Sequence, residues 1–148
     1  MGGLKASRTA VGSMLALTLV ACGGDGDESG SSKREWQAEH RDLVAAFGRD
    51  LDATTMTLNR GEKTATLNAC TQLADDAKEM RDEVFPVSNK QVERPLRQSV
   101  DLALMASDNC LKGGRDPDGA RQVEEAMRQV ADARRAFQEA EGAISDWR

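Results

Sequence analysis

The chain has 148 residues, and roughly the first 30 differ in composition from the rest, which leaves room for one modest domain and no second. Aromatic residues make up 3% with no Tyr, so β-sandwiches and barrels, whose strands draw on aromatic and β-branched side chains, are disfavoured and an all-α fold is expected. The 20 Lys and Arg face 25 Asp and Glu, a net charge of −5, and no basic block interleaved with aromatics occurs, so no nucleic-acid partner is expected.

Residues 1–21 carry Lys5 and Arg8 and no acid, followed by an apolar run through Val11, Leu15, Leu17, Leu19 and Val20. A helix of about 12 residues rises only ~18 Å, short of the ~30 Å hydrocarbon core, so the pattern is that of a secretory signal peptide and not of a permanent span. The run Leu19-Val20-Ala21-Cys22 resembles the lipobox of bacterial lipoproteins, and the Gly23-Gly24-Asp25 that follows is usual for that family. The likeness covers roughly 25 residues and implies a diacylglycerol thioether on Cys22, with cleavage just before it. Each buried methylene contributes ~0.8 kcal/mol, so two or three acyl chains on one Cys hold a domain durably at a membrane.

Cleavage after Ala21 removes two cations and no acid, leaving 18 bases against 25 acids, a net charge of −7. Anionic headgroups repel such a domain, and the anchor has to supply the attachment. Residues 22–31 are then the acylated Cys and a linker of Gly, Ser, Asp and Glu, too polar to bury apolar area, and residues 32–148 form the domain.

From Ser32 onward apolar residues recur at spacings of three and four, broken near Gly61, Pro86 and Gly113-Gly114, which predicts four helices. Ser32 with Glu35 reads as a capping box opening a first stripe of Trp36, His40, Leu43, Phe47, Leu51, Thr54 and Leu58. Gly61 stands where a left-handed residue closes that helix, and the second stripe runs on Leu67, Cys70, Leu73, Ala74, Ala77, Met80 and Val84 until Pro86 stops it. The third helix has two candidate starts, Ser88 with Gln91 as a capping box or Arg94 followed by Pro95 at the first helical position. Its face is Leu96, Val100, Ala103, Leu104, Ser107, Cys110 and Leu111, with Gly113 as its end. Asp116 as cap and Pro117 as first residue open the last stripe, Val123, Met127, Val130, Ala133, Phe137, Ala140, Ile144 and Trp147.

Short connections make sequential helices antiparallel neighbours, so the expected architecture is an up-down-up-down four-helix bundle. That topology brings Trp36 level with Trp147 and Phe47 level with Phe137. Folding the second hairpin about Pro86 also brings Cys70 level with Cys110, and in an exported domain two such thiols pair as a disulfide.

The chemistry a helical bundle often houses is mostly missing. The single His40 has Gln37 three residues before it, so a di-iron carboxylate motif is absent, as is the Cys-x-x-Cys-His of covalent haem. Non-covalent haem between His40 and Met80 or Met127 is a geometric option only. No Ser or Cys sits in a nucleophile setting, and the acid pairs Asp75-Asp76, Glu124-Glu125 and Asp50/Asp52 read as solvated helix faces. No enzyme activity, metal or cofactor is therefore expected. Leu102 and Met105 fall far from the centre of the third stripe and form either an exposed apolar spot or part of a broad buried face.

The sequence thus points to a lipid-anchored lipoprotein on the extracytoplasmic face of a membrane, the outer one included where a cell has two. Its domain resembles small helical bacterial envelope proteins, a likeness that implies no activity. A non-enzymatic binding or structural module working with another envelope protein is the expected role. The alternative is a carrier of haem or lipid, with contacts at Trp36, His40 and Trp147.

Overall fold

Apolar spacing of three and four along most of the chain from Ser32 onward produces helices that each hide one stripe, and four such stripes close on a common core. The computed structural model describes residues 28–148, with side chains from Lys33 onward. Four helices and no strand are present among these residues: α1 Glu28–Arg60, α2 Lys63–Glu79, α3 Lys90–Arg115 and α4 Ala120–Asp146. A π-helical turn, Met80–Val84, prolongs α2 and buries Met80 and Val84. The expected antiparallel four-helix bundle is what the chain forms. Residues 1–27, on which the expected signal peptide and the expected lipidation site Cys22 fall, lie outside the described residues.

Local details differ from the sequence expectation at three helix ends. Helix α1 begins at Glu28, so Ser32 lies inside it and is not its cap, and residues 28–31 belong to the helix and not to the linker. Once Trp36 and the residues beyond it are packed, each residue added upstream forms a further backbone bond without a new nucleation cost. Helix α3 uses neither expected start. Asn89 is the cap, its Oδ1 accepting from the Gln91 N–H at 2.9 Å, and Pro95 sits inside the helix. Pro95 forfeits the bond that its position would donate to Gln91, but it is buried beside Leu96, and Gln91 is exposed so that water reaches it.

The third difference concerns Gly113, which does not end α3. The helix runs on to Arg115, and α4 starts at Ala120 with Gly119 before it, leaving Asp116 and Pro117 in the turn. Asp116 organises that turn by accepting from the Asp118 N–H at 2.9 Å through its side chain and from the Gly119 N–H at 3.1 Å through its carbonyl. The two glycines are there for close approach: a Cβ on Gly119 would lie 2.1 Å from the Gly113 carbonyl oxygen. Gly61, by contrast, does serve as the left-handed terminator of α1, with φ of +69° and its N–H bonded to the Thr57 carbonyl at 3.1 Å.

Packing follows side-chain size. Along α3, Ser99, Ala103, Ala106, Ser107 and Gly113 are buried, and along α4 Ala126, Ala133, Ala136 and Ala140. Small residues on both sides let these helices lie close together, and the buried Ser99 hydroxyl donates across the seam to the Ala133 carbonyl at 2.8 Å. Helix α1 brings the bulk, with Phe47 and Leu51 fully buried. The Phe47 and Phe137 rings meet edge to face with centroids 5.6 Å apart, and the Trp36 and Trp147 rings meet at the same separation, so both expected aromatic layers form. In the second hairpin Cys70 and Cys110 are joined as a disulfide with their Cα atoms 6.3 Å apart. One stripe residue changes place: Met127 is 37% exposed and Ala126 takes the buried position beside it.

Candidate functional site

The end of the bundle where α1 begins and α4 finishes carries the residues singled out for ligand contact. Trp36 projects from α1 and packs on Trp147, the residue that caps α4, while His40 lies one turn further along α1 with its ring 5.6 Å from that of Trp36. Both indoles are buried, and the side chain of His40 keeps 13% of its surface exposed. Lys33 ties the same corner together by donating to the Trp147 carbonyl. The Trp36 indole N–H is buried without a hydrogen-bond partner among the described residues. A donor of this kind is where an acceptor group on a ligand would gain most, because burying it unpaired costs about 1 to 3 kcal/mol.

Met127 does not complete a haem site with His40. Met127 lines a groove with Thr55 and Leu58, and Leu58 is 18 residues, or about 27 Å of helix, along α1 from His40. Met80, the first residue of the π turn, is fully buried in the core. Among the described residues no group of three or more His, Cys, Asp or Glu is arranged to hold a metal ion, and no helix is long and apolar enough to cross a membrane.

Leu102 and Met105 part company. Leu102 is half-buried and packs against the core, whereas Met105 is 54% exposed. They border a shallow groove with Arg94, Arg97, Gln98 and Asp101. The first turns of α3 are held by Glu93, which is buried and is bonded by Lys90 and, at 2.9 Å, by Arg97; these two cations, Lys90 first, hold its carboxyl below the usual carboxylate range. Arg97 also lies over the Phe85 ring, 4.3 Å from its centroid.

One arrangement was hidden from sequence reasoning. Asp50 and Asp76, which the sequence suggests are members of solvated acid pairs on separate helices, influence each other across the contact of α1 with α2. Asp76 is 9% exposed and accepts from the Gln72 side-chain amide at 2.8 Å. Burial, then the neighbouring Asp76 carboxyl, pushes Asp50 up from 3.8 to about 6, with Arg49 acting in the opposite direction. The helical stripes carry a faint sign of this: Asp50 follows Phe47 by three and precedes Leu51, and Asp76 follows Leu73 by three and precedes Ala77, so both acids sit on the margin of a buried stripe. Margin positions become visible as a pair only when the register between the helices is known.

No protein-family model, curated protein or solved structure matches the chain.

Proposed function

We propose that the protein is a lipid-anchored extracytoplasmic lipoprotein whose helical bundle acts as a non-enzymatic binding or structural module of the cell envelope, working with another envelope protein. The observation that carries this reading is the distribution of its three cysteines. Cys70 and Cys110 are paired within the bundle, as suits an oxidising compartment, and the remaining one, Cys22, stands directly behind the Leu19-Val20-Ala21 run. Only five residues separate Cys22 from Glu28, the first residue of α1, so an acyl anchor there sets the Trp36–Trp147 end of the bundle nearest the membrane.

The test is fractionation of the full chain and of Cys22→Ser. The parent should partition with membranes and require detergent for release, with the mass of its amino-terminal peptide raised by acyl chains. The variant should move to the soluble or secreted fraction. Identical partitioning of the two proteins, or an unmodified Cys22, rules the anchor out.

A second reading, carriage of a small ligand such as a lipid, is favoured by the unpaired Trp36 indole N–H. Native mass spectrometry of protein purified from its source is then expected to show an added mass that disappears in Trp36→Phe. The bare polypeptide mass in the parent overturns it.

A further inference from the structure

The end of the bundle away from Trp36 and Trp147 holds a cavity of about 460 Å³, where the α1–α2 turn meets the α3–α4 turn. Sites for small ligands have volumes of roughly 300 to 1,000 Å³ and mostly apolar walls with a few polar groups that fix orientation. The walls here follow that pattern, with Leu58 and Cys110 lining the cavity as buried residues and Leu67 and Val123 as half-buried ones. At Gly114, which also lines it, a Cβ would stand 2.7 Å from Leu67 Cδ2, so the lack of a side chain there leaves Leu67 its place and the cavity its width.

Three charged side chains share this lining: Lys63 at the start of α2, Asp116 in the α3–α4 turn and Glu124 in the second turn of α4. Their signs are opposite, yet among the described residues Lys63 forms no ion pair, so its ammonium stands apart from both carboxylates. Asp116 accepts from the Asp118 N–H through Oδ1 and keeps its second oxygen. Arg128, one turn beyond Glu124, donates through Nε to Glu125 at 3.1 Å. The Thr66 hydroxyl, also at the cavity, donates to the Thr57 carbonyl at 3.1 Å, which leaves the selection of a ligand to the three charges.

We infer that this cavity binds short apolar peptides with free termini, the carboxylate going to Lys63, the ammonium to Glu124 and Asp116, and the side chains to Leu58, Leu67 and Val123. Opposite charges that line one apolar cavity without meeting are complementary to a ligand that carries both signs at separated ends of an apolar body. An amphiphile of a single sign would satisfy one side of the lining and be repelled by the other. A free peptide has both ends ionised at about pH 7, and at roughly 3.3 to 3.6 Å per extended residue a dipeptide or tripeptide holds those ends apart. The cavity lies at the opposite end of the bundle from Trp36 and Trp147, and its use depends neither on the lipid anchor nor on a ligand at that corner.

The experiment is calorimetric titration of the full chain in a nonionic detergent at about pH 7 with leucylleucine and leucylglycylleucine, each free, acetylated at the amino end, or amidated at the carboxyl end. At least one free peptide should bind, and blocking either of its ends should weaken it about three- to tenfold. Lys63→Gln should weaken the free peptide by a similar factor and bind the amidated form as well as the free one. Glu124→Gln should shrink the effect of acetylation and leave that of amidation. Lys112→Gln makes the same change of charge as Lys63→Gln at an exposed position of α3 outside the cavity, and it should bind as the parent does. Lys63 and Glu124 are exposed as well, so each variant should keep the fold. Failure of both free peptides to bind at about 10 mM overturns the inference. Blocked peptides that bind as tightly as free ones also overturn it, as does a Lys63→Gln variant that keeps the full penalty for amidation.

Discussion

Replacing Cys70 and Cys110 together with alanine is expected to lower the unfolding free energy by about 3.9 kcal/mol. The bond closes a loop whose ends are 40 residues apart, joining the start of α2's buried stripe to the last turns of α3. Breaking it leaves the folded contacts of the hairpin nearly intact but returns to the unfolded chain the loop freedom that the bond had removed. Both cysteines are buried, so the alanines also leave unfilled volume in the core, which adds to the loop figure. A small domain has about 5 to 15 kcal/mol in total, so the variant should unfold at a markedly lower urea concentration than the parent. Treating the parent with a reductant strong enough to open the buried bond should move its midpoint the same way. A midpoint for the double variant within about 1 kcal/mol of the oxidised parent would falsify the assignment of the disulfide as the main brace of the hairpin.

Phe47→Ala should be comparably damaging, by about 3 to 5 kcal/mol. Phe47 is fully buried and its ring meets Phe137 edge to face. The ring of Phe137 in turn lies over Gly48, where a Cβ would approach Phe137 Cε1 to 2.6 Å, so the aromatic pair is seated on a glycine and neighbouring side chains cannot easily collapse into the vacated space. The edge-to-face pairing itself contributes about 0.5 to 1.5 kcal/mol of the total. Trp36 and Trp147 supply a fluorescence readout at the end of the bundle, and urea melts with an unchanged slope should separate a cavity from a change of fold. Met105→Glu is the natural control, since that side chain is largely exposed and its replacement should be nearly neutral. A Phe47→Ala midpoint matching the control would show that α1 does not hold its place through this layer.

Much of the fold was legible in individual residues. The apolar stripes located all four helices, Gly61 marked the end of α1, and counting residues from the turns paired Trp36 with Trp147, Phe47 with Phe137 and Cys70 with Cys110. Helix ends were read less well, because Gly113 and Pro117 are ambiguous as letters. A glycine that terminates a helix and one that admits another strand of backbone look identical in sequence, and only the nearness of Gly119 tells them apart. Pro95 was equally ambiguous between the first helical residue and one tolerated within α3.

The influence of Asp76 on Asp50 was illegible for a different reason. Asp50 and Asp76 lie 26 positions apart on separate helices, and each alone reads as a solvated acid. Helical periodicity is a local property, carried by backbone bonds four residues apart, so the amino-acid order alone determined which segments coil, which faces hide and which layers match. How far α1 rotates against α2 depends on the simultaneous packing of side chains from all four helices. Only that packing set how deeply two margin carboxyls are buried, and left Met105 in water while drawing Leu102 against the core.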